Sequence, residues 1–354
     1  MKTLLKILVI VFLVLASTIF YNNLRNKGFS EKLIDTNKLP VSRNISIGFV
    51  GDILLASNVE RRINETSVKF PFERVQEILA SKDFAIGNLE SAIATGGSPA
   101  ANKRYTFRAN PKVLDGVRWS GIDILSVSNN HVFDYGKTAF RDTLQNIKSY
   151  NLKYIGAGED DNEAYSPVIL EKNGKKIAFL GASRVIPNVG WYAGKNKPGV
   201  AGVYNSAKLV EQIRKVKKEA DVVIVYLHWG VEKEIIPKPY QRNLAKELID
   251  NGADIVAGTH PHVLQGFEFY KGKLIAYSLG NFVFTNFKNE TLILTVEFGD
   301  EGLAVVEIIP CLINNYRPEP IIDYEQKKNF YKKIEDRSFG IYIKDEGGLG
   351  KKVK

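Results

Sequence analysis

Gly258-Thr259-His260-Pro261-His262 follows directly on the strand-like run Ala253-Asp254-Ile255-Val256-Ala257, and the reading of that junction decides the fold. The chain of 354 residues carries four histidines, and this turn holds two of them. The others stand in matching places: His131 in Ser128-Asn129-Asn130-His131, and His228 in Leu227-His228-Trp229-Gly230. Each sits where an apolar, strand-like run breaks into a glycine- or asparagine-rich turn. In an open α/β sheet ligands bind at the ends of strands. A chain that keeps all its imidazoles there points to metal or proton chemistry. Ordinary turn residues with satisfied hydrogen bonds account for any one of these histidines, but poorly for all four.

The same pattern extends outward along the chain. Residues 45–50 form a short buried strand that ends in Gly51-Asp52, where an aspartate suits a metal ligand or a helix N-cap. A second strand over 84–89 ends in Glu90, and a third over 122–127 runs into Asn129-Asn130-His131. Helices are predicted over 71–81, with Val75, Ile78 and Leu79 at helical spacing, over 111–120, and over 137–150, with Phe140, Leu144 and Ile147 on one face. Asp134-Tyr135-Gly136 opens the last of these. Further on, strands over 175–180, 221–227 and 253–257 alternate with helices over 206–219 and 240–251. A strand over 273–278 ends in Leu279-Gly280-Asn281-Phe282, and 292–298 with 303–309 predict a closing antiparallel pair. Strand–helix alternation followed by a β-rich end indicates an α/β domain with a mixed sheet.

Two stretches stay irregular. Residues 99–110 carry Lys103, Arg104 and Arg108; residues 183–204 carry Arg184, Trp191 and Lys195. Loops this long inside a compact domain are usually functional. Arg108, Arg184 and Lys195 are candidates for binding the carboxylates of an anionic ligand, with an ordinary solvated face as the alternative. Trp229 reads as core rather than as a substrate platform.

Composition is that of a globular protein, with 44% hydrophobic and 25% charged residues. The formal charge of +10 favours an anionic partner: nucleic acid, anionic lipid or an acidic polymer. No RNP, zinc-finger or helix-turn-helix pattern is present, so no nucleic-acid role is expected. The single cysteine, Cys311, excludes an intrachain disulfide framework and a cysteine-based zinc site. Residues 1–27 read as an N-terminal membrane anchor. Lys2 and Lys6 precede about 15 apolar residues, close to the lower limit for spanning. The expected arrangement is an uncleaved single-pass anchor in the cell membrane, with the N-terminus inside and the remaining chain extracellular; a cleaved signal peptide is the alternative, for which Leu15-Ala16-Ser17 is a poor site. Residues 28–43 form a polar linker, 44–310 the α/β domain, and 311–354 a basic, peripheral C-terminal tail.

Gathered from the strand ends, Asp52, Glu90, Asn130, His131, His228, His260 and His262 supply carboxylates, an amide and imidazoles. That donor set suits one or two borderline divalent ions such as Mn, Zn or Fe, and is too rich in nitrogen for calcium. No Ser-His-Asp elbow, Walker loop or dinucleotide fingerprint is found.

In order, Gly51-Asp52, Gly87-Asn88-Leu89-Glu90, Asn129-Asn130-His131, His228-Trp229-Gly230, Thr259-His260-Pro261-His262 and Ser278-Leu279-Gly280-Asn281-Phe282 resemble the motifs of the CapA family of bacterial capsule and poly-γ-glutamate synthesis proteins. The resemblance covers residues 45–284. That family belongs with the calcineurin-like metallophosphoesterases, which implies a double β-sandwich flanked by helices. It further implies that Asp52, Glu90, Asn130, His228, His260 and His262 are metal ligands and that His131 is the catalytic acid. Leu54 stands where the wider superfamily has the histidine of an Asp-x-His motif, so one metal site is expected to lack a ligand. The implied role is synthesis, export or trimming of an anionic capsule polymer, poly-γ-glutamate first, alongside capsule synthesis and export membrane proteins. Three versions stay open: a metal-dependent hydrolase of the polymer, a non-catalytic polymer-binding component, and a phosphoesterase on another phosphorylated substrate.

Overall fold

Alternation along single strands builds the layers. The computed structural model describes residues 44–285 and 289–352. In it β1 (Ile45–Ile53) is followed by β2 (Phe84–Leu89), β3 (Ile124–Ser126), helix α1 (Gly136–Ser149) and β4 (Lys153–Ile155). Next come β5 (Val168–Lys172), β6 (Lys175–Ser183), α2 (Ala207–Val216), β7 (Val222–His228), α3 (Pro239–Asp250) and β8 (Ile255–Thr259). The chain ends through β9 (Phe267–Tyr270), β10 (Lys273–Ala276), β11 (Asn281–Val283), β12 (Glu290–Gly299), β13 (Gly302–Asn314), β14 (Arg317–Pro320) and α4 (Tyr324–Arg337). An eight-stranded sheet has the order β14-β13-β12-β1-β2-β3-β4, with β11 joining β1; a six-stranded sheet has the order β9-β10-β8-β7-β6-β5.

Side chains on a strand alternate between faces. Ile45, Ile47 and Phe49 of β1 share one buried cluster with Ile177 and Phe179 of β6 and with Val222, Ile224 and Tyr226 of β7. The two sheets therefore pack face to face. The intervening residues of the smaller sheet, Ala178, Leu180, Val223 and Val225, point outward onto Leu209 and Ile213 of α2 and Leu244 and Leu248 of α3. On the far side, Leu125 packs with Phe140, Leu144 and Ile147 of α1. The result is a sandwich of two sheets with helices outside. Trp229 lies in the smaller sheet's outer cluster, fully buried, and is a core residue.

Strands β1 to β4 run parallel, as do β6, β7, β8 and β10. Their C-terminal ends carry Asp52, Glu90, His228 and His260. Two glycines allow the backbones to close there. A Cβ on Gly51 would lie 1.9 Å from the Gly280 carbonyl oxygen, and one on Gly258 would lie 2.2 Å from Nε1 of Trp229. Any larger residue would push β1 from β11, or the histidine turn from its support.

Two differences from the sequence-based expectation stand out. The helix expected over 71–81 breaks into a 3-10 turn, Phe70–Phe72, and a short helix, Gln76–Ala80. Residues 311–354 are not a peripheral tail. Cys311 lies inside β13, β14 pairs with β13, and Phe330, Tyr331 and Ile334 of α4 are buried in the core between the sheets. The lysines and glutamates of α4 mask this apolar stripe, which only meets its partner through non-local packing. Residues 44–354 form one unit. The anchor expected at 1–27 and the linker at 28–43 lie outside the described residues. Among the described residues no helix is long and apolar enough to cross a membrane.

Candidate metal centre

Asp52 and Glu90 are the buried floor of the site, each 0% exposed. Asp52 leaves β1 beside β2, and Asn88 on β2 donates its amide to Asp52 Oδ1 at 2.8 Å. Asn129 in turn donates to Asn88 Oδ1 at 3.0 Å, and its own Oδ1 accepts the N–H groups of His131 and Val132. This chain of amides ties the ends of β1, β2 and β3 into one frame. Asp52 Oδ2 also accepts the backbone N–H of His260 at 3.3 Å, which joins the two sheets.

The histidine turn is strained. His260 has φ 96° and His262 φ 57°, left-handed values that cost a non-glycine residue roughly 1–3 kcal/mol. That conformation turns both imidazoles toward the carboxylates. His262 Nδ1 lies 3.2 Å from Asp52 Oδ2 and 2.8 Å from Asn281 Oδ1, and its Nε2 lies 3.6 Å from Glu90 Oε1. The His228 and His260 rings are 4.8 Å apart. His228 Nε2 lies 2.8 Å from Asn130 Oδ1 and its Nδ1 3.2 Å from Thr259 Oγ1.

Burial sets the protonation states. It raises Glu90 well above the usual carboxylate range, and the Asp52 charge adds to this. Asp52 ends lower than usual: burial opposes ionisation, but His262 and Asn88 outweigh it. Between these two acids Glu90 holds the proton. Burial, reinforced by the neighbouring imidazoles, pushes His228 far down and His260 to about 3, so both present neutral rings, the form that binds metal.

The residues fit a divalent ion. Glu90 Oε1, His260 Nδ1 and Asn281 Nδ2 are buried without a hydrogen-bond partner, and such atoms are rare unless something else satisfies them. One ligand atom each from Asp52, Glu90 and His262 lie within 4.8 Å of one another. The 3.6 Å gap between His262 Nε2 and Glu90 Oε1 is too long for a hydrogen bond. It is close to the separation of about 3.3 Å between donors that share a tetrahedral ion at roughly 2 Å.

His131 is served by a different set. Its Nδ1 donates to Asp134 Oδ2 at 2.7 Å, and its Nε2 faces Glu90 Oε1 at 3.9 Å. Asp134, fully buried, also accepts the Phe107 N–H at 2.7 Å. The Lys103 ammonium donates to Asp134 and to the Asn130 carbonyl oxygen, and stands 3.0 Å from His131 Nδ1. The Phe107 ring packs on the imidazole at 4.6 Å between centroids. Burial lowers His131 while Asp134 resists that shift; burial likewise lowers Lys103.

The structure thus gathers Asp52, Glu90, Asn130, His131, His228, His260 and His262 in one place. It does not tie the three basic candidates to them by any side-chain contact. Arg108 donates to the Gly96 and Gly97 carbonyls and lies over Tyr135. Arg184 lies against the rings of Tyr204 and Tyr240, although its backbone N–H bonds His228 O. Lys195 is exposed in the 194–197 turn. Lys103, Asp134, Asn88 and Asn281 are participants that sequence reasoning did not single out. The one available signal was an unexplained Lys103 in a long loop. A cleft of about 370 Å³ opens beside His262, with Lys333 and Arg337 of α4 on its wall.

Comparison with known proteins places this geometry in context. The family model described as bacterial capsule synthesis protein PGA_cap matches residues 46–286. The capsule biosynthesis protein CapA of Bacillus anthracis is 33% identical over 304 residues, 83% of this chain and 73% of that protein. The PGA biosynthesis protein CapA of Bacillus subtilis (strain 168) is 33% identical over 309 residues, 85% of this chain and 80% of that protein. Among solved structures, NAD nucleotidase of Haemophilus influenzae aligns with a TM-score of 0.47 at 13% identity, over 84% of this chain and 57% of that one. A hypothetical protein from Thermus thermophilus aligns with a TM-score of 0.48 at 16% identity, over 76% of this chain and 99% of that one. Overlaps at that level carry no functional inference.

Proposed function

The chain belongs to the bacterial capsule synthesis protein family PGA_cap, and from that premise we propose that it is a membrane-anchored protein acting on an anionic capsule polymer outside the cell, poly-γ-glutamate first, through a metal-dependent hydrolase site of metallophosphoesterase type. The observation that carries the hydrolase reading is the buried acid pair Asp52 and Glu90, bonded by no lysine or arginine among the described residues, beside the unpartnered Glu90 Oε1 and His260 Nδ1. Burying an acid pair, one of them forced to keep its proton, beside orphaned polar atoms is costly unless a cation completes the arrangement.

Asp52, Glu90, His260 and His262 would hold the ion, with Asn130 and His228 beside them. A divalent ion there supplies Lewis acidity toward the bond to be cleaved and toward water. The remaining work falls to the chain. Asp134 accepts the hydrogen bond from His131 Nδ1 and so leaves Nε2 as the position where a proton is taken up and handed to a leaving amine. Lys103 neutralises Asp134 and pins the Asn130 backbone, which keeps His131 and the Asn130 amide in register. The Phe107 ring covers one side of the imidazole and excludes water. On the cleft beside His262, Lys333 is paired with Glu290 at 2.6 Å and Arg337 donates to the Leu264 carbonyl, so the lining keeps a modest excess of positive charge for a polycarboxylate.

The test is turnover of poly-γ-glutamate by the full chain loaded with Mn²⁺ or Zn²⁺, with metal content measured in parallel. His131→Ala is expected to keep its metal and lose turnover. Loaded wild-type protein that binds the polymer without cleaving it would overturn the hydrolase reading in favour of a polymer-binding component.

A further inference from the structure

Immediately after His228 the chain turns through Gly230 and Glu232, and this turn is stitched to the histidine turn. Trp229 N–H bonds Thr259 O at 3.1 Å, and Lys233 N–H bonds Pro261 O at 2.8 Å. Gln265 Nε2 donates to Glu234 O at 2.8 Å. Gly230 at φ 97° and Lys233 at φ 65° make the sharp bend, so the backbone on both sides of Glu232 is fixed against residues 260–262.

The Glu232 side chain has no hydrogen bond or ion pair among the described residues, although the protein is basic. It is exposed, yet one of its carboxylate oxygens lies within 4.8 Å of a ligand nitrogen on His260 and another on His262. His260 is 5% exposed, and its Nδ1 has no partner. Asp52 and Glu90 group with His262, and Glu232 groups with both His260 and His262, so carboxylates approach the histidine turn from its buried and its solvent side.

We propose that Glu232 is a metal ligand, closing on the solvent side a site of two imidazoles and one carboxylate with His260 and His262. This rests on the reading of the cluster as a metal centre and adds a residue to it. Two histidines and one carboxylate suit Mn²⁺, Fe²⁺, Zn²⁺ and the spectroscopic probe Co²⁺, and they leave positions open for water or substrate. Because Glu232 is the exposed member, those open positions face solvent, where a polymer chain can reach them. His262 belongs to this group and to the Asp52–Glu90 group alike, so a change at Glu232 is felt at the buried carboxylates through that shared ring.

The experiment titrates Co²⁺ into the metal-free full chain in detergent, following visible absorption and bound metal. Wild type is compared with Glu232→Gln, Glu232→Asp and the neighbouring control Glu234→Gln. Glu232→Gln is expected to bind Co²⁺ at least about a hundredfold more weakly, since even residues that only orient a ligand cost roughly 10–100-fold, with a changed ligand-field spectrum. Glu232→Asp should recover part of the affinity, and Glu234→Gln should match wild type. Unchanged affinity and spectrum in Glu232→Gln, with wild type binding normally, would overturn the assignment and leave the metal centre standing. Wild type that binds neither Co²⁺ nor Mn²⁺ would overturn both.

Discussion

The two ends of β8 treat buried charge in opposite ways. At its start Asp254, 4% exposed, accepts Lys217 at 2.7 Å, the Val223 N–H at 2.8 Å and Lys273. On β9, one strand beyond β10, Glu268 takes Arg242 at 3.2 Å, Lys246 at 2.9 Å and the Tyr277 hydroxyl at 2.7 Å. At the other end of β8 lie Asp52, Glu90, His228, His260 and His262, with orphaned atoms and two left-handed histidines. The first end is arranged to be stable as it stands. The second is stable only because the surrounding core over-determines it, and such strain gathers where a ligand is bound.

The largest expected effect sharpens this contrast directly. Glu90→Gln mimics the protonated side chain already present, so the metal-free fold should keep its Tm. Metal affinity should fall by about a thousandfold, about 4 kcal/mol. Elemental analysis after dialysis reads the loss, and a chelator should lower the Tm of wild type but not of the variant. Equal binding by both proteins would break the comparison.

At the opposite end, Asp254→Ala strands two lysines and a buried N–H. It should cost about 3 kcal/mol in urea denaturation while metal loading per folded molecule stays unchanged.

Glu268→Gln should cost about 1.5 kcal/mol at neutral pH. Burial raises the Glu268 pKa, but the bonds from Lys246 and Tyr277 and the Arg242 charge outweigh it and the net shift is downward. A lowered folded value means that the carboxylate stabilises the fold above its ordinary pKa of 4.5 and loses that contribution as pH falls through the lower folded value. Denaturation curves of variant and wild type should therefore converge in acid; a gap that persists there would refute the paired-carboxylate account.

Lys195→Ala, in neither cluster, should change stability by no more than about 0.5 kcal/mol and leave metal binding alone. A loss of polymer affinity in that variant would make it a substrate contact after all.

Much of the site was legible because strand ends are local features. Apolar runs that stop at Gly51-Asp52, Glu90, His228 and His260 can be counted along the chain, and parallel pairing then brings those ends to one edge. Asp134 was legible only as a helix opener. Its carboxylate instead holds His131 and Lys103, and no period in the 99–110 loop announces that a lysine there reaches so far. The residues set apart as a basic tail were misjudged for a related reason. The stripe Phe330, Tyr331, Ile334 is short and lies among charged neighbours, and its burial depends on strands far away in sequence.

By itself the sequence determined the alternation of strands and helices and the concentration of imidazoles and carboxylates at strand ends, because these follow from side-chain period and backbone sterics within a few residues. Only the tertiary structure decided which donors face one another, which stay unpartnered, and that Glu232 and Lys103 approach the histidines from two different loops. Those facts depend on distances between segments as far apart in the chain as Asp52 and His262, set by how the two sheets pack and by nothing local to either.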